Sequence, residues 1–228
     1  MKYSTPTLDR FVRIAQATLR DAKANINDLH VCISKRNTKI GSTFNVSLLP
    51  IYTCAKCSKC KWHCYDIKAC LFHKKVMSAR ACNTAILEND RAHYFAEIDA
   101  FLNKRVKHKY FRWHVAGDII DSAYLHEMCV IARKHPAWIF WTYTKNYDAV
   151  NNYIDRGGTI PYNLSIMFSS WMGVDMENKY DFPTFSCRMK GESIRKYRKL
   201  YKFPGDCNIC KLAHRGCIAK ESAYVDEH

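Results

Sequence analysis

The feature that most constrains the fold of this 228-residue chain is an alternation of apolar runs with helical patterns. Apolar runs cover Tyr110–Ile120, Trp138–Thr144 and Leu164–Ser170, and helical patterns cover Ser122–Lys134 and Tyr147–Arg156 between them. Continuous apolar runs separated by helices are typical of parallel strands that are covered on both faces. We therefore predict an α/β fold, either a partial (β/α) barrel of mostly parallel strands or a small doubly wound sheet.

Further elements are predicted on both sides of this alternation. Residues 45–53 and 184–188 read as two more strands, residues 7–25 as a first helix, and residues 77–106 as a long helical span. We expect a single domain over residues 1–228, made of an N-terminal helical segment (1–30), an α/β core (31–190) and a basic, cysteine-rich C-terminal segment (191–228).

The composition excludes several classes of protein. Hydrophobic residues make up 48% of the chain, with only eight Gly and six Pro, so a disordered or collagen-like chain is excluded. No apolar run approaches the roughly 18 residues that a membrane-spanning helix needs. The N-terminus is charged throughout and lacks the apolar region of a secretory signal. We expect a cytoplasmic protein without membrane contact.

The net charge of +15 is concentrated in two stretches of the chain. Residues 76–185 hold 12 basic and 12 acidic side chains, whereas residues 54–75 hold 6 against 1 and residues 186–220 hold 10 against 2. Nine of the twelve cysteines lie in these two basic stretches. The partner or substrate is therefore expected to be anionic, in the class of nucleotides or nucleic acids.

The first cysteine group predicts a metal centre. Its spacing, Cys54-x2-Cys57-x2-Cys60-x3-Cys64, matches the bacterial ferredoxin pattern that binds a [4Fe–4S] cluster. Disulfides rarely persist in a reducing cytosol, so a metal or cluster is the default interpretation. The alternative is Zn²⁺, which also takes four cysteine ligands.

The second group, Cys207-x2-Cys210-x3-His214-x2-Cys217, offers three thiolates and an imidazole. It suits a closed zinc site, or it supplies ligands to a cluster, and the sequence does not choose between them. The isolated cysteines are expected to be small buried apolar side chains; they are Cys32, Cys82, Cys129 and Cys187.

Polar residues stand where the predicted strands end. In α/β folds ligands bind at the carboxyl ends of the strands, and the first strand here leads directly into Cys54. The candidate catalytic residues at the following strand ends are His114, Asp118, Tyr143, Lys145 and Asn146. Taken singly, Asp118 and Asn146 also suit helix caps, and His114 suits a buried core histidine.

Two basic stretches are candidates for binding nucleic acid, because cations neutralise phosphates and neighbouring aromatic rings stack on bases. Their residues are Lys56, Lys59 and Lys61 in the first, and Arg195, Lys196, Arg198 and Lys199 in the second. The alternative interpretation is a solvated helix face.

Several short motifs resemble a known family, the phage gene product 88 family. They are the run Ile33–Gly41, Leu49-Pro50, Thr53-Cys54, Cys64-Tyr65, Trp113–Asp118 and Trp141–Thr144. The resemblance covers about residues 31–217 and includes the C-terminal cysteine cluster. It implies a protein that acts inside a bacterial or phage-infected cell.

More distantly, the layout is similar to that of radical S-adenosylmethionine enzymes. This resemblance implies a partial barrel, a [4Fe–4S] cluster in the loop after the first strand, and S-adenosylmethionine bound by Gly117, Asp118 and Ser169. The spacing departs from that family: CxxxCxxC is absent, and Cys57-x2-Cys60-x3-Cys64 has its two intervals reversed.

Two hypotheses follow for the function. The first is an iron–sulfur enzyme, similar to the radical S-adenosylmethionine enzymes, that acts on a nucleotide or nucleic acid. The second is a zinc-stabilised nucleic-acid-binding protein without catalysis. Replacing His114 or Asp118 discriminates them, because only an enzyme needs these side chains for turnover.

Overall fold

The computed structural model describes residues 2–37, 40–104, 106–170 and 175–226, with Arg36 and Asn37 described as backbone alone. Thr38 and Lys39 of the family motif lie outside the described residues. The strands within these ranges form one sheet with the order β1-β2-β3-β4-β5-β6-β8-β7. They are β1 (Ser34–Asn37), β2 (Gly41–Val46), β3 (Tyr110–Trp113), β4 (Ile139–Thr144), β5 (Leu164–Ser170), β6 (Thr184–Arg188), β7 (Tyr201–Lys202) and β8 (Ala223–Asp226).

The predicted mostly parallel α/β sheet is confirmed. Every neighbouring pair from β2 to β7 is parallel, and only β1 runs antiparallel to its partner β2. The buried strands β4 and β5 run side by side over five residue pairs, from Phe140 opposite Leu164 to Thr144 opposite Phe168. The carboxyl ends of the central strands therefore lie along one edge of the sheet.

The helices cover the two faces of the sheet and pack against one another. Those of the described ranges are α1 (Thr5–Ala24), α2 (Tyr65–Phe72), α3 (Lys74–Asn89), α4 (Arg91–Leu102), α5 (Ser122–Lys134), α6 (Tyr147–Asp155) and α7 (Cys207–Ala213). Short 3₁₀ helices occupy Ile26–Asp28, Cys60–His63, Ile194–Tyr197 and Gly216–Ala219. Within the described part of the chain, no helix is long and apolar enough to cross a membrane.

Three predicted elements are shorter than expected. The span 77–106 is two helices, because Asp90 adopts an extended conformation and its side chain caps α4 by accepting a hydrogen bond from the His93 amide. The strand predicted over 110–120 ends at Trp113, because His114 has a φ of 57° and turns the chain. The strand predicted to run to Thr53 ends at Val46.

The C-terminal segment is part of the sheet. Strand β8 pairs with β6 on one side and with β7 on the other, so the last strand of the chain lies inside the sheet order. Successive residues of β4 face opposite sides: Phe140 belongs to the main core under the helices, whereas Trp141 packs against Cys210 and Cys217. The C-terminal segment thus covers the second face of the sheet.

Candidate functional site

A cavity of about 290 Å³ lies at the carboxyl ends of the central strands. The sequence-predicted residues in its wall come from five separate parts of the chain: Cys54, Lys56, Cys60 and Cys64 from the first cysteine group; His114, Gly117 and Asp118 after β3; Tyr143 and Lys145 from the end of β4; Ser169 from the end of β5; and Cys207 from α7. The fold therefore brings the first cysteine group and the strand ends to one place, as the βα order predicts.

The thiols of the first cysteine group are close together. The Cys57 and Cys60 sulfur atoms lie 3.9 Å apart, and Cys57 also contacts the Cys54 thiol. Contact with Cys57 lowers the pKa of Cys60 to about 6, whereas burial raises the pKa of Cys64 to about 12. The chemistry of this donor set suits a thiolate-bound metal or cluster. Within the described residues, however, no three His, Cys, Asp or Glu side chains are arranged as a ready metal site.

A buried ion pair holds the helix that follows these cysteines. Asp66 in α2 accepts two hydrogen bonds from Arg80 in α3, at 3.2 Å and 3.3 Å. The Tyr3 hydroxyl donates to the Cys64 carbonyl at 3.0 Å, and the Tyr3 amide donates to the Trp62 carbonyl at 2.7 Å. The end of the cysteine loop is therefore fixed by both α3 and the N-terminal segment.

His114 is a buried, neutral wall residue of the cavity. Burial, together with the nearby Arg112 cation, lowers the pKa of His114 to about 3. Its Nε2 atom lies 2.9 Å from the Tyr124 hydroxyl, and its buried Nδ1 atom has no hydrogen-bond partner among the described residues. A left-handed backbone and an unsatisfied polar atom in one residue are typical of functional sites.

Gly117 and Asp118 build the loop after β3. A Cβ atom on Gly117, whose φ is 86°, would lie 2.7 Å from Leu48 Cβ and 2.8 Å from Thr53 Oγ1. Asp118 is a buried carboxylate whose pKa is raised by burial. It accepts hydrogen bonds from the Thr144 hydroxyl at 2.5 Å and from the Lys145 amide at 3.0 Å. Asp118 thus ties the end of β3 to the end of β4.

The residues at the end of β4 divide between the cavity and the scaffold. Lys145 Nζ donates to Ser169 Oγ at 3.2 Å, which links the ends of β4 and β5 in the cavity wall. Asn146 instead caps α6: its side chain accepts from the Ala149 amide and donates to the Ile119 and Ile120 carbonyls. In this structure Asn146 holds the backbone and is not a wall residue of the cavity.

The C-terminal cysteines lie behind and beside the cavity. Cys207 is in the cavity wall, whereas Cys210 and Cys217 pack with Trp141 on the second face of the sheet. Cys217 also makes a side-chain contact with Tyr143. His214, which the sequence grouped with these cysteines, is an exposed residue at the end of α7 with a φ of 47°.

The isolated cysteines differ from the expectation in two cases. Cys82 and Cys129 are buried as predicted, but Cys32 and Cys187 are only half-buried. The Cys32 and Cys82 sulfur atoms both approach the His30 carbonyl, at 3.7 Å and 3.2 Å.

The candidate nucleic-acid-binding residues lie mostly outside the cavity. Only Lys56 reaches its wall, where it pairs with Asp148 at 2.7 Å. Lys59 is exposed, and Lys61 lies against the Trp62 ring. The second basic group is exposed around the 3₁₀ helix Ile194–Tyr197; its members are Arg195, Lys196, Arg198 and Lys199.

Several cavity residues were missed from the sequence, among them Tyr65, Asp66 and Arg112. Arg112 stands in the middle of the apolar strand β3 and reaches the cavity wall, where its guanidinium lies 4.8 Å from the centre of the Tyr143 ring. A charged residue inside an otherwise apolar strand was the available signal, because such residues are rarely buried without a partner.

The match to a protein family covers this site. The model of the gene product 88 family matches residues 15–186, well over half of the chain. The chain belongs to the gene product 88 family. The gene product 88 match includes the first cysteine group and the ends of β3, β4 and β5, and it ends within β6, before the C-terminal cysteines. Searches of the curated proteins and of the solved structures found no match to this chain.

Proposed function

We propose that this gene product 88 protein is an iron–sulfur enzyme that acts on a nucleotide or on a nucleotide unit of a nucleic acid. The observation that carries the proposal is the shared cavity, where three thiols of one cysteine group meet His114 and Lys145. The ferredoxin-type spacing of the cysteines supports a [4Fe–4S] cluster as the bound group. The excess of positive charge supports an anionic substrate.

The thiols of Cys54, Cys60 and Cys64 would hold the cluster at the cavity, with Cys57 beside them. When bound, such a cluster supplies electron transfer or a Lewis-acidic iron. His114 is neutral at pH 7 and offers a nitrogen atom to the substrate, and Lys145 offers a positive charge. Asp118 holds the Lys145 backbone in position.

The finer parts of the proposal come from the resemblance to radical S-adenosylmethionine enzymes. We propose that the sheet curves as a partial barrel and that S-adenosylmethionine binds near Gly117, Asp118 and Ser169. The place of these residues beside the first cysteine group supports this. Equilibrium binding of S-adenosylmethionine to anaerobically purified protein tests it, and absence of binding to protein that carries a cluster contradicts it.

One distance favours the second candidate, a zinc-stabilised nucleic-acid-binding protein. A tetrahedral Zn²⁺ with Zn–S bonds of about 2.3 Å holds two thiolates roughly 3.8 Å apart. The Cys57 and Cys60 sulfur atoms are 3.9 Å apart. In a cubane the thiolates bind different iron atoms and stand farther apart.

Metal analysis separates the two candidates. Anaerobically purified protein is analysed for iron, zinc and sulfide and by electron paramagnetic resonance after reduction. We expect iron and sulfide in the wild type and their loss in Cys60→Ser, whereas the matched control Cys129→Ser, a buried cysteine far along the chain, keeps them. Stoichiometric zinc without iron contradicts the enzyme proposal and supports the binding protein.

The binding candidate has its own test. A protein that binds nucleic acid through exposed cations loses affinity steeply as salt is raised, and Arg195→Gln combined with Arg198→Gln weakens it further. If the wild type retards neither DNA nor RNA at low salt, this candidate is wrong.

A further inference from the structure

Strand β3 brings a half-buried cation, Arg112, to the cavity wall without an acidic partner among the described residues. Arg112 lines the cavity, and no carboxylate among the described side chains lies within ion-pair distance of it. The Arg112 guanidinium carbon lies over the face of the Tyr143 ring, 4.8 Å from its centre. An aromatic face attracts a cation but leaves the N–H groups at its edge without acceptors.

The hydrogen bonds of this part of β3 are incomplete. Arg112 Nε is buried and has no partner among the described residues, and the same holds for His114 Nδ1 two residues later. Both residues line the same cavity. A buried donor without an acceptor is destabilising, and more so when it is charged, so native proteins rarely keep one without a ligand or water to satisfy it.

We propose that Arg112 is the binding residue for an oxyanion of the substrate, a phosphate or a carboxylate. This inference rests on the proposed function and names the substrate class of the same cavity. The planar guanidinium donates in pairs to the two oxygens of such a group, which a lysine cannot do. Tyr143 acts as a positioning residue, because its ring fixes the plane of the guanidinium.

The rest of the wall limits the size and shape of the substrate. The rings of Tyr143 and Phe185 meet edge to face with centroids 4.9 Å apart, and Phe185 and Phe203 continue the aromatic wall. A cavity of about 290 Å³ is of the size that takes a small molecule such as one nucleotide. The substrate is therefore a small oxyanion with a planar or apolar body, or a single unit that leaves its polymer to enter.

Titration calorimetry on the full chain as purified tests this inference. The probes are adenosine monophosphate, inorganic phosphate, benzoate and adenosine, each raised to about 10 mM, a range that detects millimolar affinities. We expect an oxyanion probe to bind the wild type and to bind Arg112→Gln about 10- to 100-fold more weakly, the usual range for a lost charged hydrogen-bond pair. The matched control Arg20→Gln removes the same charge from an exposed residue of α1 that belongs to no candidate site, and it should change affinity less than about twofold.

The probes distinguish the sources of the oxyanion. Binding of phosphate and adenosine monophosphate identifies a phosphate site, and binding of benzoate alone identifies a carboxylate site; either supports the inference if it depends on Arg112. The inference is overturned if no oxyanion binds the wild type, or if Arg112→Gln and Arg20→Gln bind the oxyanion equally well. It is also overturned if Arg112→Gln lowers only the metal content. The positive charge of Arg112 would then serve to neutralise the Cys207 and Cys217 thiolates.

A second measurement does not depend on the folding of a variant. Phenylglyoxal modifies arginine side chains, and peptide mass analysis follows Arg112 in the wild type. We expect the binding oxyanion to slow modification of Arg112 several-fold and to leave modification of Arg20 unaffected. Equal rates of Arg112 modification with and without the oxyanion overturn the inference. If the protein contains iron but binds no oxyanion, the inference about Arg112 is wrong and the proposed function is unaffected. If the protein binds an oxyanion through Arg112 but contains no metal, the proposed function is wrong and the inference stands.

Discussion

The buried ion pair between Asp66 and Arg80 gives a prediction whose size follows from the structure. The two side chains are 3% and 10% exposed and meet through two hydrogen bonds of 3.2 Å and 3.3 Å. Replacing Arg80 with Met removes the cation and leaves the Asp66 carboxylate buried, with only the weak Cys70 thiol contact at 3.5 Å. Breaking a buried pair in this way costs about 3–5 kcal/mol, most of it from the charge left behind.

The loss of stability should be visible in thermal and urea unfolding. For a chain of this length, a free-energy change of 1 kcal/mol moves Tm by about 2–4 °C, so we expect Arg80→Met to lower Tm by roughly 6–20 °C. The double variant Asp66→Asn, Arg80→Met should recover part of the loss, because it leaves no buried charge. Since Asp66 lies in the first turn of α2, directly after Cys64, the single variant should also retain less metal than the wild type.

The matched control is an ion pair on the surface. Lys23 and Glu88 join α1 to α3 at 2.6 Å, but their side chains are 51% and 45% exposed. Lys23→Met should cost less than about 1 kcal/mol, because exposed pairs gain little over hydration. If Arg80→Met proves as mild as Lys23→Met, the argument from burial is refuted.

Three further predictions concern single positions. Gly117→Ala should lower the free energy of unfolding by more than about 2 kcal/mol, because the new methyl group adds close contacts to a strained backbone. The control Gly157→Ala adds backbone strain alone and should lower the free energy of unfolding by about 1 kcal/mol. Equal losses of the two variants in urea unfolding would contradict this. Contact with Cys82 lowers the pKa of Cys32 to about 7, so the alkylation rate of Cys32, followed by mass spectrometry, should have a midpoint near pH 7. Cys82→Ala should move that midpoint upward. An unmoved midpoint would mean that another group lowers the pKa of Cys32. Because the pKa of His114 falls from 6.5 to about 3 on folding, the stability that its neutral form contributes is complete above pH 6.5 and is lost as the pH falls towards 3. His114→Asn should remove this pH dependence of the free energy of unfolding, measured by urea unfolding at successive pH values. An unchanged pH dependence would mean that another group causes it.

The elements with strong periodicity could be predicted from the sequence, and the elements fixed by single residues could not. Ser122–Lys134 and Leu164–Ser170 have the predicted bounds, because a helical period or a continuous apolar run extends over their whole length. The division at Asp90 depends on one cap, and the end of β3 depends on the positive φ of His114. Strands β7 and β8 have two and four residues, too few to show a period.

The candidate site shows the same division. The meeting of Cys54, Cys60, His114 and Lys145 follows from the topology, because parallel strands bring their carboxyl ends to one edge. The positions of Asn146 and Cys210 outside the cavity wall could not be derived from the sequence. Asn146 caps a helix and Cys210 makes a core contact, and both roles depend on the direction of the side chain. The oxyanion-binding role proposed for Arg112 depends on the structure, which shows that its Nε atom is buried without a hydrogen-bond partner among the described residues.

The strand order β6-β8-β7 has a consequence for how the molecule is made on the ribosome. Strand β7 and the segment that carries Cys207, Cys210 and Cys217 leave the ribosome before β8, which is the strand that β7 pairs with in the described part of the sheet. Until residues 223–226 emerge, β7 has no template, and the face of the sheet around Trp141 stays uncovered. We therefore expect the cavity wall at Cys207 to close after β8 has emerged, and a metal that needs both cysteine groups to be inserted after translation of β8.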